Sequence, residues 1–349
     1  MNLRLIFVLL SCAISVVTGL VLSRGGGSPS KVPTRTRPLI GLSMDTLKEE
    51  RWMKDRDLFL AKAQALGADV MVLSANSSDS QQITDVQSMI TAKVDALVII
   101  PHDGAAMAKA VAMAEEAAIP VLSYDRLITG CDLDLYLTFD NVKVGELQAQ
   151  FIADHAAKTS GKLRLIRIYG SKTDNNAALF KKGQDNVLQP LIASGKIEVV
   201  HEDWAEDWKP ESAKKITNAA ITKVQHQFDA ILASNDGTAG GAIQALTEEG
   251  LQGKIVVTGQ DADLAACQRI ANGTQTMTVY KPIKLLADQA ATVALKMAQR
   301  KVIVAKDTTD NGHSQVPSIL LEIVSVTKDN LRETVIADGF RKEADVFAR

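Results

Sequence analysis

The chain has 349 residues, a formal net charge of −2, and 46 % apolar but only 4 % aromatic side chains. That length fits about two domains, each able to bury a core. The near-neutral charge supplies no basic field for nucleic acid. Cys12, Cys131 and Cys267 show neither metal-ligand nor CxxC spacing, and a Cys131–Cys267 bridge or two idle thiols both fit.

The N-terminus reads as an export segment. Arg4 precedes a mostly apolar stretch over residues 5–22, and a Ser/Gly/Pro-rich stretch runs on to Pro38. A cleaved signal is the first reading. An uncleaved anchor is the second, since about 18 apolar residues can just span a bilayer. The third is a lipoprotein attached at Cys12, after Leu9-Leu10-Ser11. All three put the folded part outside the cytoplasmic membrane, with the periplasm as the expected compartment.

From Pro38 onward, short β-rich runs alternate with helical patterns. Strands are predicted over 39–43, 70–74, 96–100 and 121–124, with helices over 51–66, 80–90 and 105–117 between them. A second series begins near Asn141, with helices over 144–155, 177–191, 211–224, 241–249 and 262–270. Its strands fall at 163–168, 197–200, 230–233, 255–258 and 276–279, before a long helix over 283–300 and a last strand over 319–326. These are βαβ units that build parallel sheets. So many strands suit two sheets better than one. The expected fold is therefore α/β, with two doubly wound lobes. Residues 1–37 form a leader and linker; 38–140 plus about 281–310 form the first lobe, and 141–280 plus about 311–349 the second.

Polar and aromatic residues cluster behind the predicted strands: Glu50-Arg51-Trp52, Tyr124-Asp125-Arg126, Asp174-Asn175-Asn176, Trp204 and Trp208, Ser234-Asn235-Asp236, Gly259-Gln260-Asp261 and Tyr280-Lys281-Pro282. Ligands of open α/β sheets bind just beyond the carboxyl ends of the strands. Carboxylates accept, Arg and Lys donate, and Asn does both, so this set suits a small neutral molecule with many hydroxyls. Bland readings exist for single members. Asp261 could cap a helix, Arg51 lies in a charged run, and Trp204 suits packing. Asp132-x-Asp134 lacks the glycine of a calcium loop, with Leu137 in its place. No nucleophile elbow, metal triad or cofactor fingerprint appears, so neither an enzyme nor a metal or cofactor is expected.

Longer stretches carry a resemblance. They are Glu50-Arg51-Trp52-Met53-Lys54-Asp55-Arg56-Asp57, Val98-Ile99-Ile100-Pro101, Asp174-Asn175-Asn176, Ala233-Ser234-Asn235-Asp236, Gly259-Gln260-Asp261-Ala262-Asp263 and Thr278-Val279-Tyr280-Lys281-Pro282. They resemble the periplasmic pentose- and hexose-binding proteins of bacterial ABC transporters, and within these the D-xylose binders. The resemblance implies Rossmann-like lobes of the type I binding-protein fold, joined by a three-strand hinge. It also implies a monosaccharide ligand, D-xylose first, held in the cleft and delivered to membrane permease subunits by a monomer. By motif position, Arg51, Asp125, Asn176, Trp208, Asn235, Asp261 and Lys281 would contact the sugar, with Trp52, Lys54 and Arg126 close by. His102 and Asp103 stand where the family usually has a neutral Asn, which touches the rim of the cleft. A sugar-sensing module that signals to a membrane receptor or histidine kinase is the alternative role.

Overall fold

The computed structural model describes residues 35–348; the export segment and Cys12 lie outside the described residues. Apolar runs form β1 (Leu39–Met44), β2 (Asp69–Ser74), β3 (Ala96–Ile99), β4 (Val121–Tyr124) and β5 (Leu135–Phe139). The crossovers between β1 and β4 are α1 (Glu50–Ala65), α2 (Asp79–Thr91) and α3 (Ala108–Glu116). Helix α2 starts where sequence chemistry says it should, because the Ser78 hydroxyl accepts from the Gln81 amide.

Strict alternation sorts each strand's side chains into two layers. Ala96, Val98 and Ile100 pack with Phe59 and Ala63 of α1, whereas Leu97 and Ile99 pack with Val86 and Met89 of α2. Both faces of the sheet are thus buried, as parallel sheets require.

The second lobe repeats the plan with α4 (Asn141–Lys158), β6 (Leu163–Tyr169), α5 (Asn175–Ala193), β7 (Ile197–Trp204), α6 (Pro210–Val224), β8 (Ala230–Ala233), α7 (Asp236–Glu248), β9 (Val256–Val257) and α8 (Leu264–Asn272). These four strands pair in parallel in the order β7-β6-β8-β9. Here Ile166, Ile168, Ile231 and Ala233 face α6 and α7, while Leu163, Leu165 and Leu232 face α4 and α5. The glycine-rich start of α7 permits close helix packing: a Cβ on Gly241 would lie 2.0 Å from the Pro210 carbonyl oxygen. Strand β10 (Met277–Tyr280) lies beside β9, tied by Thr276 N to Val257 O at 3.0 Å and Val279 N to Gly259 O at 3.2 Å.

The remaining elements are α9 (Ile283–Ala298), β11 (Asp307–Asp310), β12 (Gln315–Leu321) and β13 (Val324–Thr327). Helix α9 packs Leu286, Ala290 and Ala294 onto the first sheet beside α1. The chain therefore passes between lobes near 139–141, 280–283 and 321–324.

Two expectations need correction. The 319–326 run is not one strand: β12 pairs in parallel with β5, and β13 pairs antiparallel with β10. Residues 311–321, expected in the second lobe, therefore belong to the first. Its sheet runs β11-β12-β5-β4-β3-β1-β2. The reason is an edge. β5, which the sequence reading left out, presents a free ladder that the β11–β12 hairpin covers. Cys131 and Cys267 are free and buried in different clusters, which excludes the bridge between them.

Candidate functional site

Nine of the ten expected residues line a single cleft between the lobes: Arg51, Trp52, Asp125, Arg126, Asn176, Trp208, Asn235, Asp261 and Lys281. About 450 Å³ of space, part of it open to solvent, lies among these side chains.

Arg51, on the first turn of α1, organises the first-lobe wall. Its Nη2 donates to Asp125 Oδ2 at 2.7 Å and its Nε to Asp55 Oδ2 at 3.2 Å. Across the cleft, its Nη1 reaches Asp261 Oδ1 at 3.3 Å. Behind it, Asp55 also accepts from the Tyr124 hydroxyl. Burial raises Asp55 to about 6, against the pull of Arg51.

Asp125 ends β4 with φ +61°, a left-handed conformation that costs about 1–3 kcal/mol for a non-glycine residue. Its backbone is held on both sides. The amide donates to Leu137 O at 2.8 Å, and the carbonyl accepts from Tyr136 Oη at 2.9 Å, Thr138 Oγ1 at 2.7 Å and Asn176 Nδ2 at 3.1 Å. Burial opposes the Asp125 charge, but Arg51 and then Lys281 outweigh it and hold the carboxyl below its usual range.

Arg126 spans the cleft. Its Nη1 donates to Asp45 Oδ2 at 2.7 Å, and its Nε pairs with Asp174 Oδ2 at 3.0 Å. His102 Nδ1 lies 2.9 Å from Asp45 Oδ1, and pairing with that carboxylate raises the imidazole above its ordinary value. His102 is thus tied into the first-lobe wall by Asp45, without lining the cavity. Both guanidiniums sit over Trp52, at 4.3 and 5.2 Å from the ring centroid, so cations already cover that indole.

The second-lobe wall is built on helix starts. Asp174 caps α5 by accepting from Asn176 N at 2.9 Å and takes the Trp208 Nε1–H at 3.1 Å. Trp208 has φ +58° and fits only because residue 170 is glycine: a Cβ there would lie 2.0 Å from the indole. The indole meets the Phe180 ring edge-on at 6.2 Å and 67°. Asn235 caps α7 in a reciprocal box with Thr238, which occupies Oδ1. A ligand would meet its amide nitrogen.

Asp261 has φ +98° and is not a helix cap; Asp263 holds that position before α8. Lys281, fully buried at the second crossing, places Nζ 3.8 Å from Asp125 and 3.7 Å from Asp261. It also lies 5.5 Å from the centroids of both Phe139 and Phe180.

Lys54 is the exception. It does not line the cavity. One turn beyond Glu50, it pairs with that carboxylate at 3.1 Å and lies over the Phe340 ring at 4.7 Å. Trp204 stacks on Tyr169 at 4.8 Å, the packing role expected of it.

The sequence reading left Glu49, Asp174, Phe180, Gln260 and Asp263 out of the wall they help to form. Asp174 and Gln260 stood inside the strand-end triplets. Phe180 follows Asn176 by one helical turn, which puts both on one face. Gln260 Oε1 is buried with no hydrogen-bond partner among the described residues. An orphaned acceptor costs about 1–3 kcal/mol, which a ligand hydroxyl would recover.

Residues 40–301 match the periplasmic binding protein domain family. The chain belongs to that family. It is 52 % identical over 308 residues to the D-xylose-binding periplasmic protein of Haemophilus influenzae, covering 88 % of this chain and 92 % of that one. It is 50 % identical over 307 residues to the Escherichia coli protein of the same name, with the same coverage. Among solved structures, a carbohydrate transporter solute binding protein from Chloroflexus aurantiacus in complex with D-glucose superposes with a TM-score of 0.84. That pair shares 33 % identity over 89 % of this chain and 98 % of the other. All three are named as binding proteins, the third as that of a carbohydrate transporter.

Proposed function

We propose that this protein binds D-xylose in the interlobe cleft and delivers it to an ABC-type sugar permease from the periplasm, after export by the segment over residues 5–22. The observation that carries the reading is the charge balance of a buried, donor-rich wall. Arg51 pairs with Asp125, Arg126 with Asp174, and Lys281 lies 3.7 Å from Asp261. A wall with its charges matched suits a neutral ligand. Hydrogen bonds from charged groups to neutral hydroxyls are stronger than neutral pairs, and each epimer with a displaced hydroxyl would strand a buried group.

The apolar face of the sugar would pack on Trp208. The same indole would fill the place of the hydroxymethyl that a hexose carries, which favours a pentose. The two relatives that share half of their residues with this chain are named for D-xylose. Among the described residues no helix is long and apolar enough to cross a membrane. Transport by a monomeric carrier is the favoured role over sensing.

The test is a calorimetric titration, followed also by tryptophan fluorescence, with D-xylose, L-arabinose, D-ribose, D-glucose and D-galactose. Saturable binding strongest for D-xylose is expected. Preference for another of these sugars would move the specificity to the wall around His102 and Trp208, and no binding of any would sink the monosaccharide reading.

A further inference from the structure

We infer that Glu50, which does not line the cavity, sets ligand affinity by latching the two lobes shut. The inference rests on the sugar-binding reading above but uses different residues.

Glu50 opens α1 in the first lobe, and both of its oxygens are engaged by the second. Oε2 accepts from the backbone N–H of Leu264, the first residue of α8, at 3.2 Å. That helix needs such a partner, because its own cap residue, Asp263, makes no side-chain capping bond and helix starts leave N–H groups unpaired. A carboxylate there also meets the positive end of the helix dipole. Oε1 pairs with Arg341, a buried residue of the C-terminal segment.

Arg341 is itself fixed to the second lobe, its Nε donating to Ala262 O at 2.8 Å. One turn along α1, Lys54 braces Glu50 at 3.1 Å and covers the Phe340 ring. A single turn of the first lobe thus docks on the start of α8 and on the Phe340-Arg341 pair. This explains why Lys54 belongs to the same sequence motif as Arg51 without facing the cavity.

These bonds require the lobes to be together, so they add free energy to the closed form alone. Observed affinity scales with the population of the closed form. Removing the latch should therefore speed ligand release and leave both association and the ranking of sugars unchanged, because no sugar contact is lost.

Stopped-flow fluorescence on the wild type, Glu50→Ala and Glu50→Gln tests this. Dissociation of D-xylose should quicken by roughly five- to tenfold in Glu50→Ala, the scale of about 1–1.4 kcal/mol. Glu50→Gln should fall between, since the amide oxygen still accepts from Leu264 but carries no charge for Arg341. In an Arg341→Met background, Glu50→Ala should add less than it does in the wild type, because the ion pair is already broken and only the Leu264 bond is left to lose. Unchanged dissociation in a folded Glu50→Ala protein, or an altered ranking of sugars, would overturn the latch. Should the wild type bind no sugar, the site reading fails separately. Small-angle scattering of the ligand-free proteins then decides: a larger radius for Glu50→Ala supports the latch, and equal radii overturn it.

Discussion

On the first-lobe wall each arginine has a carboxylate partner in its own lobe, although Arg126 and Arg51 also reach Asp174 and Asp261 across the cleft. Arg51 rests on Asp55 and Asp125, Arg126 on Asp45, and Asp45 on His102. On the second-lobe wall Asn235 is fixed by its own helix start, but the Asn176 side chain bonds Asp125 across the cleft, and among the described residues Asp261 meets its cations across the cleft at Arg51 and at the crossing at Lys281. The first half is therefore organised before closure, and the second is completed by it. In this account the ligand settles on the first lobe, and hinge closure adds the second set of contacts. Preorganised contacts spare ordering cost on binding, so the two halves should respond differently to substitution.

The largest effect should come from Asp125→Ala. It removes a sugar acceptor and leaves Arg51 buried with weaker pairing, a change that costs about 3–5 kcal/mol in comparable buried pairs. Affinity should fall by more than about a hundredfold, and the ligand-free protein should melt at a lower temperature. A variant with near wild-type binding would break the comparison at its stronger end.

Asp261→Asn should lose affinity by roughly ten- to fiftyfold yet leave ligand-free stability much less changed than Asp125→Ala does. Melting curves of the two variants side by side, with and without D-xylose, make the contrast visible. Equal loss of ligand-free stability would mean that both halves are organised in advance.

Trp208→Ala should weaken D-xylose by about tenfold, the scale of losing one stacked face. It should also improve D-glucose relative to D-xylose by opening space where a hydroxymethyl would sit. Competition calorimetry with the two sugars reads this ratio, and an unchanged ratio would remove Trp208 from the pentose argument.

The smallest effect concerns protonation. Burial raises Asp55 from an ordinary 3.8 to about 6. The native state therefore keeps a proton that the unfolded chain releases above pH 3.8, so this residue's contribution to stability is greatest below that pH and declines as pH rises through 6. Asp55→Asn should flatten that part of the stability–pH curve, as followed by thermal melts between about pH 4 and 7. A slope identical to the wild type's would exclude Asp55 as its source.

Much of this was legible in the chain. The unbroken apolar run through Ala96–Ile99 announced a strand buried on both faces, and the polar triplets behind the apolar runs pointed to a ligand wall at the strand ends. What local pattern cannot convey is partnership at a distance. Residues 319–326 look like one apolar run, yet the chain changes sheets at Glu322-Ile323, because β5 and β10 each offer an edge. β5 went unread for a related reason: it lies just before a crossing, without a helix of its own lobe after it. Lys54 shares a motif with Arg51 and Trp52, but its position on α1 turns it toward Glu50 and Phe340. Phe180 could have been found from its one-turn spacing to Asn176. The pairing of Glu50 with Arg341, 291 positions apart in the chain, could not.

The most direct test of the account is diffraction from crystals grown with D-xylose. The account predicts one pyranose in the cleft, with hydroxyls within hydrogen-bond distance of Asp125, Asn176, Asn235 and Asp261 and its apolar face on Trp208. A sugar bound elsewhere, or one that contacts only first-lobe residues while the lobes are closed, would contradict it.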